Sequence, residues 1–184
     1  MLVVIGMLAF LMVTASGAPR GLVRRSMCMK NLKEISLAIR IYAQDNGGKF
    51  PADSEQTTLG SFALLPANSP RYPAAPTHKT LYAALVCPND EMAIFHRVVP
   101  GSPHKLITAK NLSYAYAGFG LTESAQSDTA IACDRSSTGK WNSSRPWNRN
   151  RWTHESEGGN ILFADGHVAF TQSSAAGLDR MKNP

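Results

Sequence analysis

No charged side chain occurs before Arg20 in MLVVIGMLAFLMVTASGAPR, and residues 1–13 are apolar apart from one glycine. That absence argues against a solvated start to the chain. Hydrophobic residues make up 43% of the whole, which argues against wholesale disorder. No internal repeat is evident. No H-E-x-x-H or comparably tight ligand spacing occurs, so nothing local announces a metal site. Cysteine is scarce, and the three present (Cys28, Cys87 and Cys133) cannot all pair with one another. Acid is absent from WNSSRPWNRNRW at 141–152, and scarce in residues 1–50, where seven Lys/Arg face two Asp/Glu. Since 7 − 2 leaves +5 of the total net charge of +6, the basic excess belongs to one segment. It does not by itself indicate a nucleic-acid-binding domain.

What is present begins with that apolar run. A length of 184 residues suggests about one domain. Residues 1–19 are near the short end for a membrane span, which needs about 20. A buried core helix is the plainer alternative, but a helix apolar all round at the extreme N-terminus argues against it. A cleaved secretory signal would want a basic n-region, and Pro19 would follow the Ser16-Gly17-Ala18 cut awkwardly. Membrane insertion is the favoured reading. Arg20, Arg24, Arg25, Lys30 and Lys33 follow it, and the positive-inside rule taken alone would place them in the cytoplasm.

In MCMKNLKEISLAIRIYAQDNGGKFP, Cys28, Leu32, Ile35, Ile39 and Tyr42 step by four, three, four and three. This is one face of an α-helix, broadened by Leu37 and Ala38. Asn46-Gly47-Gly48 ends it, and Pro51 follows. The stretches 51–80, 96–111 and 141–152 read as loops. Strands are expected near 84–87, 112–117, 129–133, 160–164 and 167–171.

The order of these segments resembles bacterial type IV prepilin-like proteins. The resemblance is closest to the type II secretion pseudopilin group with a C-terminal H-x9-DG prepilin-associated motif. It is carried by the apolar start, the basic joint and the amphipathic helix. CPND at 87–90, LSYAYAGFG at 112–120 and HESEGGNILFADGHV at 154–168 carry the rest. Ten residues, not nine, separate His154 from Asp165. The family's basic leader, cleavage site, phenylalanine and glutamate would align upstream of Met1.

The resemblance implies an α+β, pilin-like fold. Residues 1–19 would form a membrane and filament helix, 20–47 its amphipathic continuation, and 48–184 an extracytoplasmic head on a small antiparallel sheet with long loops. It implies a structural subunit in the bacterial inner membrane, with its head in the periplasm. Its partners would be itself, other pseudopilins and an assembly platform, with no nucleic acid, cofactor, bound metal or catalytic residue. An extracytoplasmic head sits in an oxidising compartment, where Cys28 and Cys87 could form a bridge from helix to head. Two small buried hydrophobes are the alternative.

Within HESEGGNILFADGHV, Asp165-Gly166 is a two-residue hairpin signal of type I′. Folding about it pairs Phe163 with Val168 and Ile161 with Phe170, so Ile161, Phe163, Val168 and Phe170 should form a core ladder. On that reading Asp165 is a turn residue and His167 lies on the other face. Competing readings are a metal held by Asp165 and His167 with His154 or Asp134, and a Cys133–His154–Asp165 triad. A third is a membrane-anchored binding module, its ligand held by Trp141, Trp147, Trp152, Arg145, Arg149 and Arg151. In that loop, arginine stacking on tryptophan is the plainer account.

Overall fold

The computed structural model describes residues 20–65, 78–88, 90, 112–135 and 158–171. Its elements are α1 (Arg20–Asp45), α2 (Thr58–Ala63), α3 (His78–Ala84), β1 (Tyr114–Tyr116), β2 (Ala130–Asp134), β3 (Gly159–Phe163) and β4 (Val168–Thr171). The strands form one antiparallel sheet in the order β1-β2-β3-β4. The chain is α+β: a long helix followed by a small four-stranded sheet. Residues 1–19, the loop 141–152 and His154 lie outside the described residues. Among the described residues, no helix is long and apolar enough to cross a membrane.

The apolar stripe of α1 sets the packing. Cys28, Leu32, Ile35, Ala38, Ile39 and Ala43 are all at most 1% exposed. They join Leu81, Leu85, Tyr114, Tyr116, Ala132 and Leu162 in the main core. Two polar side chains fix the helix axially. Asn31 donates from Nδ2 to the Val86 carbonyl at 2.9 Å, and Arg40 donates from Nη2 to the Ala164 carbonyl at 3.2 Å. The helix ends where Gly48 N–H turns back to the Ala43 carbonyl at 2.7 Å, with Gly47 and Gly48 at φ +64° and +78°.

Two helices stand where the sequence reads as loop or strand. Thr57 caps α2 by accepting from the Gly60 N–H at 3.0 Å. Asp53 in turn accepts from the Thr57 N–H and hydroxyl at 2.6 and 2.7 Å. The expected strand at 84–87 is instead the end of α3 and the turn after it. Leu81, Ala84 and Leu85 fall at helical spacing and are buried against α1. One extended feature remains there, a single bond from Ser113 N–H to the Leu85 carbonyl at 2.9 Å.

The β3–β4 hairpin departs from the expected register by one residue. Leu162 pairs with Val168, Ile161 with Ala169 and Asn160 with Phe170. Phe163 N–H donates to the His167 carbonyl at 3.0 Å, and Gly166 N–H to the Phe163 carbonyl at 2.9 Å. The connection is therefore the three residues Ala164, Asp165 and Gly166. Gly166 has φ +88°, and Asp165 does not have a positive φ. This is the three-residue hairpin loop that ends on a left-handed glycine, not a type I′ turn. A one-residue slip moves every side chain of one strand to the other face. The ladder of Ile161, Phe163, Val168 and Phe170 consequently does not exist. Leu162, Ala164 and Val168 face the helix, whereas Ile161 and Phe163 join Ala115, Ala130 and Cys133 in a separate cluster.

This register orders the cost of substitutions. Leu162 is 0% exposed, so Leu162→Ala should lower stability by about 2–5 kcal/mol. Half-buried Phe163 should cost less when replaced by alanine. Gly166→Val should cost about 1–3 kcal/mol from backbone strain alone. An added Cβ there would also meet Ser36 Oγ at 3.1 Å and Arg40 Nε at 3.2 Å. Thermal melting of the three variants checks the ranking.

Candidate functional site: the buried junction of helix and sheet

Among the described residues, two cysteines and buried Asp134 come together where α1, the segment after α3 and the sheet meet. Cys28 of α1 is joined to Cys87 by a disulfide with a Cα–Cα distance of 5.3 Å. The two half-cystines are 0% and 1% exposed. They are 59 positions apart in sequence, so the bridge closes a long loop across the helix–sheet layer. Cys133, on the opposite face of β2, is buried and takes no part in the bridge.

Asp134 ends β2 and is 0% exposed. Its Oδ2 accepts from the Asn160 backbone N–H at 2.7 Å and from Asn160 Nδ2 at 2.9 Å, which ties β2 to the start of β3. Charge-assisted bonds of this kind are what allow a carboxylate to remain in a core. Beside it, Arg135 Nη2 lies 3.4 Å from Asp90 Oδ2. Asp90 is itself turned inward by its N–H donating to the Cys87 carbonyl at 2.9 Å. Burial pushes the Tyr114 hydroxyl well above the usual tyrosine range, and the Asp134 and Asp90 carboxylates push the same way. The junction is thus a polar knot of Asn31, Asp90, Tyr114, Asp134, Arg135 and Asn160 around a disulfide.

Among the described residues, one His/Cys/Asp/Glu group is close enough to hold a metal: Cys28, Cys87 and Asp134, with ligand atoms within 4.8 Å of one another. The disulfide occupies both sulfurs, leaving a single carboxylate, and the set does not fit an ion in this state. Of the residues weighed in the sequence as a metal set, Asp165 and His167 touch, Asp134 is not brought to them, and His154 lies outside the described residues. Asp134 pairs with β3 at Asn160, while Asp165 sits on the hairpin loop five residues further along the chain. Cys133, opposite Ile161 in the sheet, is likewise removed from Asp165.

At the hairpin tip, Asp165 Oδ1 accepts from the His167 N–H at 2.9 Å and contacts His167 Nδ1. The His167 ring stacks on Phe163 with centroids 4.2 Å apart. The Asp165 and His167 side chains are 42% and 51% exposed, so this is a turn-closing pair at the surface, not an enclosed site. Asn160 and Asp90 were not singled out in the sequence. The one signal available was that each is a polar residue inside or beside an apolar run.

No protein-family model matches the chain, and neither a curated protein nor a solved structure matches it.

Two outcomes follow from this geometry. Closing a loop across 59 positions restricts the unfolded chain by about 4 kcal/mol, so Cys28→Ala with Cys87→Ala should lower stability by roughly that amount, read by denaturant unfolding. A chelator should leave the melting temperature of the oxidised protein unchanged. Separately, the His167 N–H holds the Asp165 carboxyl below its ordinary value. A depressed folded pKa means a contribution present above the unfolded value of about 3.9 and lost as pH falls through the folded one. The solvent-exposed position keeps that contribution small. An NMR titration should find the Asp165 midpoint below that of an unfolded-chain aspartate.

Proposed function

We propose that the chain is a structural subunit of a pseudopilin-like assembly, anchored in a bacterial inner membrane and then packed into a filament through its N-terminal helix. The observation that carries this reading is the asymmetry of α1. From Cys28 onward its stripe of Cys28, Leu32, Ile35, Ala38, Ile39 and Ala43 is buried against α3 and the sheet. Before Cys28, Leu22, Val23 and Met27 are 53%, 59% and 50% exposed. They follow the uncharged residues 1–19 after Arg20 and Gly21. A helix whose far half is committed to its own head and whose near half offers apolar surface suits burial against a membrane and then against neighbouring helices.

The order of motifs supports the same reading. CPND supplies the head's half of the staple, LSYAYAGFG contains β1, and GGNILFADGHV forms the hairpin that closes over α1. In this role the head faces the periplasm and the chain makes and breaks no bond. Its partners are copies of itself, other pseudopilins and the platform that assembles them.

The test is fractionation. The full chain should sediment with membranes and resist extraction by salt, and a fragment starting at about residue 26 should be recovered in the soluble fraction. Recovery of the intact, unprocessed chain as a soluble protein would end this proposal.

A further inference from the structure

The staple carries an acid where packing alone needs none. A carboxylate oxygen of Asp134 lies within 4.8 Å of the sulfurs of both Cys28 and Cys87, and all three side chains are buried. Among the described residues, Asn31 of α1, Asp90 after α3, Tyr114 of β1 and Asn160 of β3 gather at this junction, and Arg135 Nη2 lies 3.4 Å from Asp90 Oδ2. Asp134 is held in place from β3 by two donors from Asn160, so its position is fixed independently of the sulfurs.

Reduction of a disulfide by thiols begins when a thiolate attacks one sulfur. A new S–S bond forms as the old one breaks, and the electron pair leaves on the second cysteine as a thiolate, which takes a proton from solvent. A second thiolate then attacks the mixed disulfide, releasing the other cysteine and an oxidised thiol pair. Two thiols are oxidised and one disulfide is reduced. In both steps negative charge grows on sulfurs, here beside an anionic oxygen in an interior that screens poorly. We infer that Asp134 guards the Cys28–Cys87 bridge by placing a fixed negative charge where an incoming thiolate must bring its own, so that the staple resists exchange with anionic thiols of the glutathione class.

Asp134 is a positioning residue in this account, and its effect is on rate. At neutral pH both the disulfide and the protonated dithiol are uncharged, so the carboxylate acts chiefly on the charged transition state.

The charge of the whole chain makes the claim testable. A protein of net charge +6 should attract an anionic thiol and repel a cationic one. The guard predicts the reverse order. The experiment measures reduction of the oxidised full chain in a neutral detergent, with cysteamine, mercaptoethanol and mercaptoethanesulfonate, each rate normalised to thiolate concentration. The expected order is cationic, then neutral, then anionic, with a spread on the order of ten-fold. Asp134→Asn should collapse that spread. Asn160→Ala removes the side-chain donor and leaves the charge, so it should keep the spread even if every rate rises through loosened packing. If Asp134→Asn does not fold, the order in the native chain and in Asn160→Ala remains decisive. Equal normalised rates for the three thiols, a rate independent of thiol concentration, or an unchanged spread in Asp134→Asn would each overturn the inference.

Discussion

The structure depends on one covalent constraint, the bond that ties Cys28 on α1 to Cys87 behind α3. Among the described residues, α1 is held by the sheet on one side and by the short helix α3 beside it. Its stripe from Cys28 to Ala43 is well buried, and Arg25, just before Cys28, still lies over the Phe170 ring of β4 at 3.9 Å. The disulfide sits at the start of that stripe. It ties that stripe covalently to the segment after α3. It also seats the Cys87–Asp90 turn, from which Asp90 meets Arg135 at the end of β2.

Around the staple, polar groups replace apolar packing. Asp134 and Asn160 join β2 to β3 at full burial, and Asn31 reaches from α1 to the Val86 carbonyl. Such a knot contributes less to net stability than an equal volume of leucine, because each group must first be taken out of water. What it supplies is direction: a carboxylate with fixed donors accepts only one register between β2 and β3. The opposite end of the sheet is fixed differently. There Arg40 holds the Ala164 carbonyl and Gly166 presses close to Ser36. The buried stripe of α1 is thus pinned near both ends, by a disulfide to the segment after α3 at one and by the hairpin loop of the sheet at the other.

Much of this was legible in the residues, and the misses have physical causes. The stepping of Cys28, Leu32, Ile35 and Ile39 identifies α1 because a long amphipathic helix repeats its signal several times. Four of the five expected strands stand close to their expected places. The hairpin register was misread because Asp-Gly favours a two-residue turn, whereas the structure draws Ala164 into the loop and gives the positive φ to Gly166 alone. One residue then exchanged the faces of Leu162 and Phe163. Helices of six and seven residues, α2 and α3, carry too few turns for periodicity to separate them from loop or strand. The pairing of Asp134 with Asn160 was not legible at all, since it joins positions 26 residues apart through a side chain.

The near half of α1 is where the proposed role is decided. Leu22, Val23 and Met27 are exposed in one chain, and assembly through the helix would cover them in a filament. Site-specific photo-crosslinking in membranes, with the reactive group at Val23 or Met27 in one series and at exposed Asp128 of the head in another, measures this directly. The account predicts a ladder of multimers of the chain from Val23 and Met27, and little from Asp128. Crosslinks from Val23 and Met27 to lipid or to unrelated proteins only, with no multimers of this chain, would contradict it.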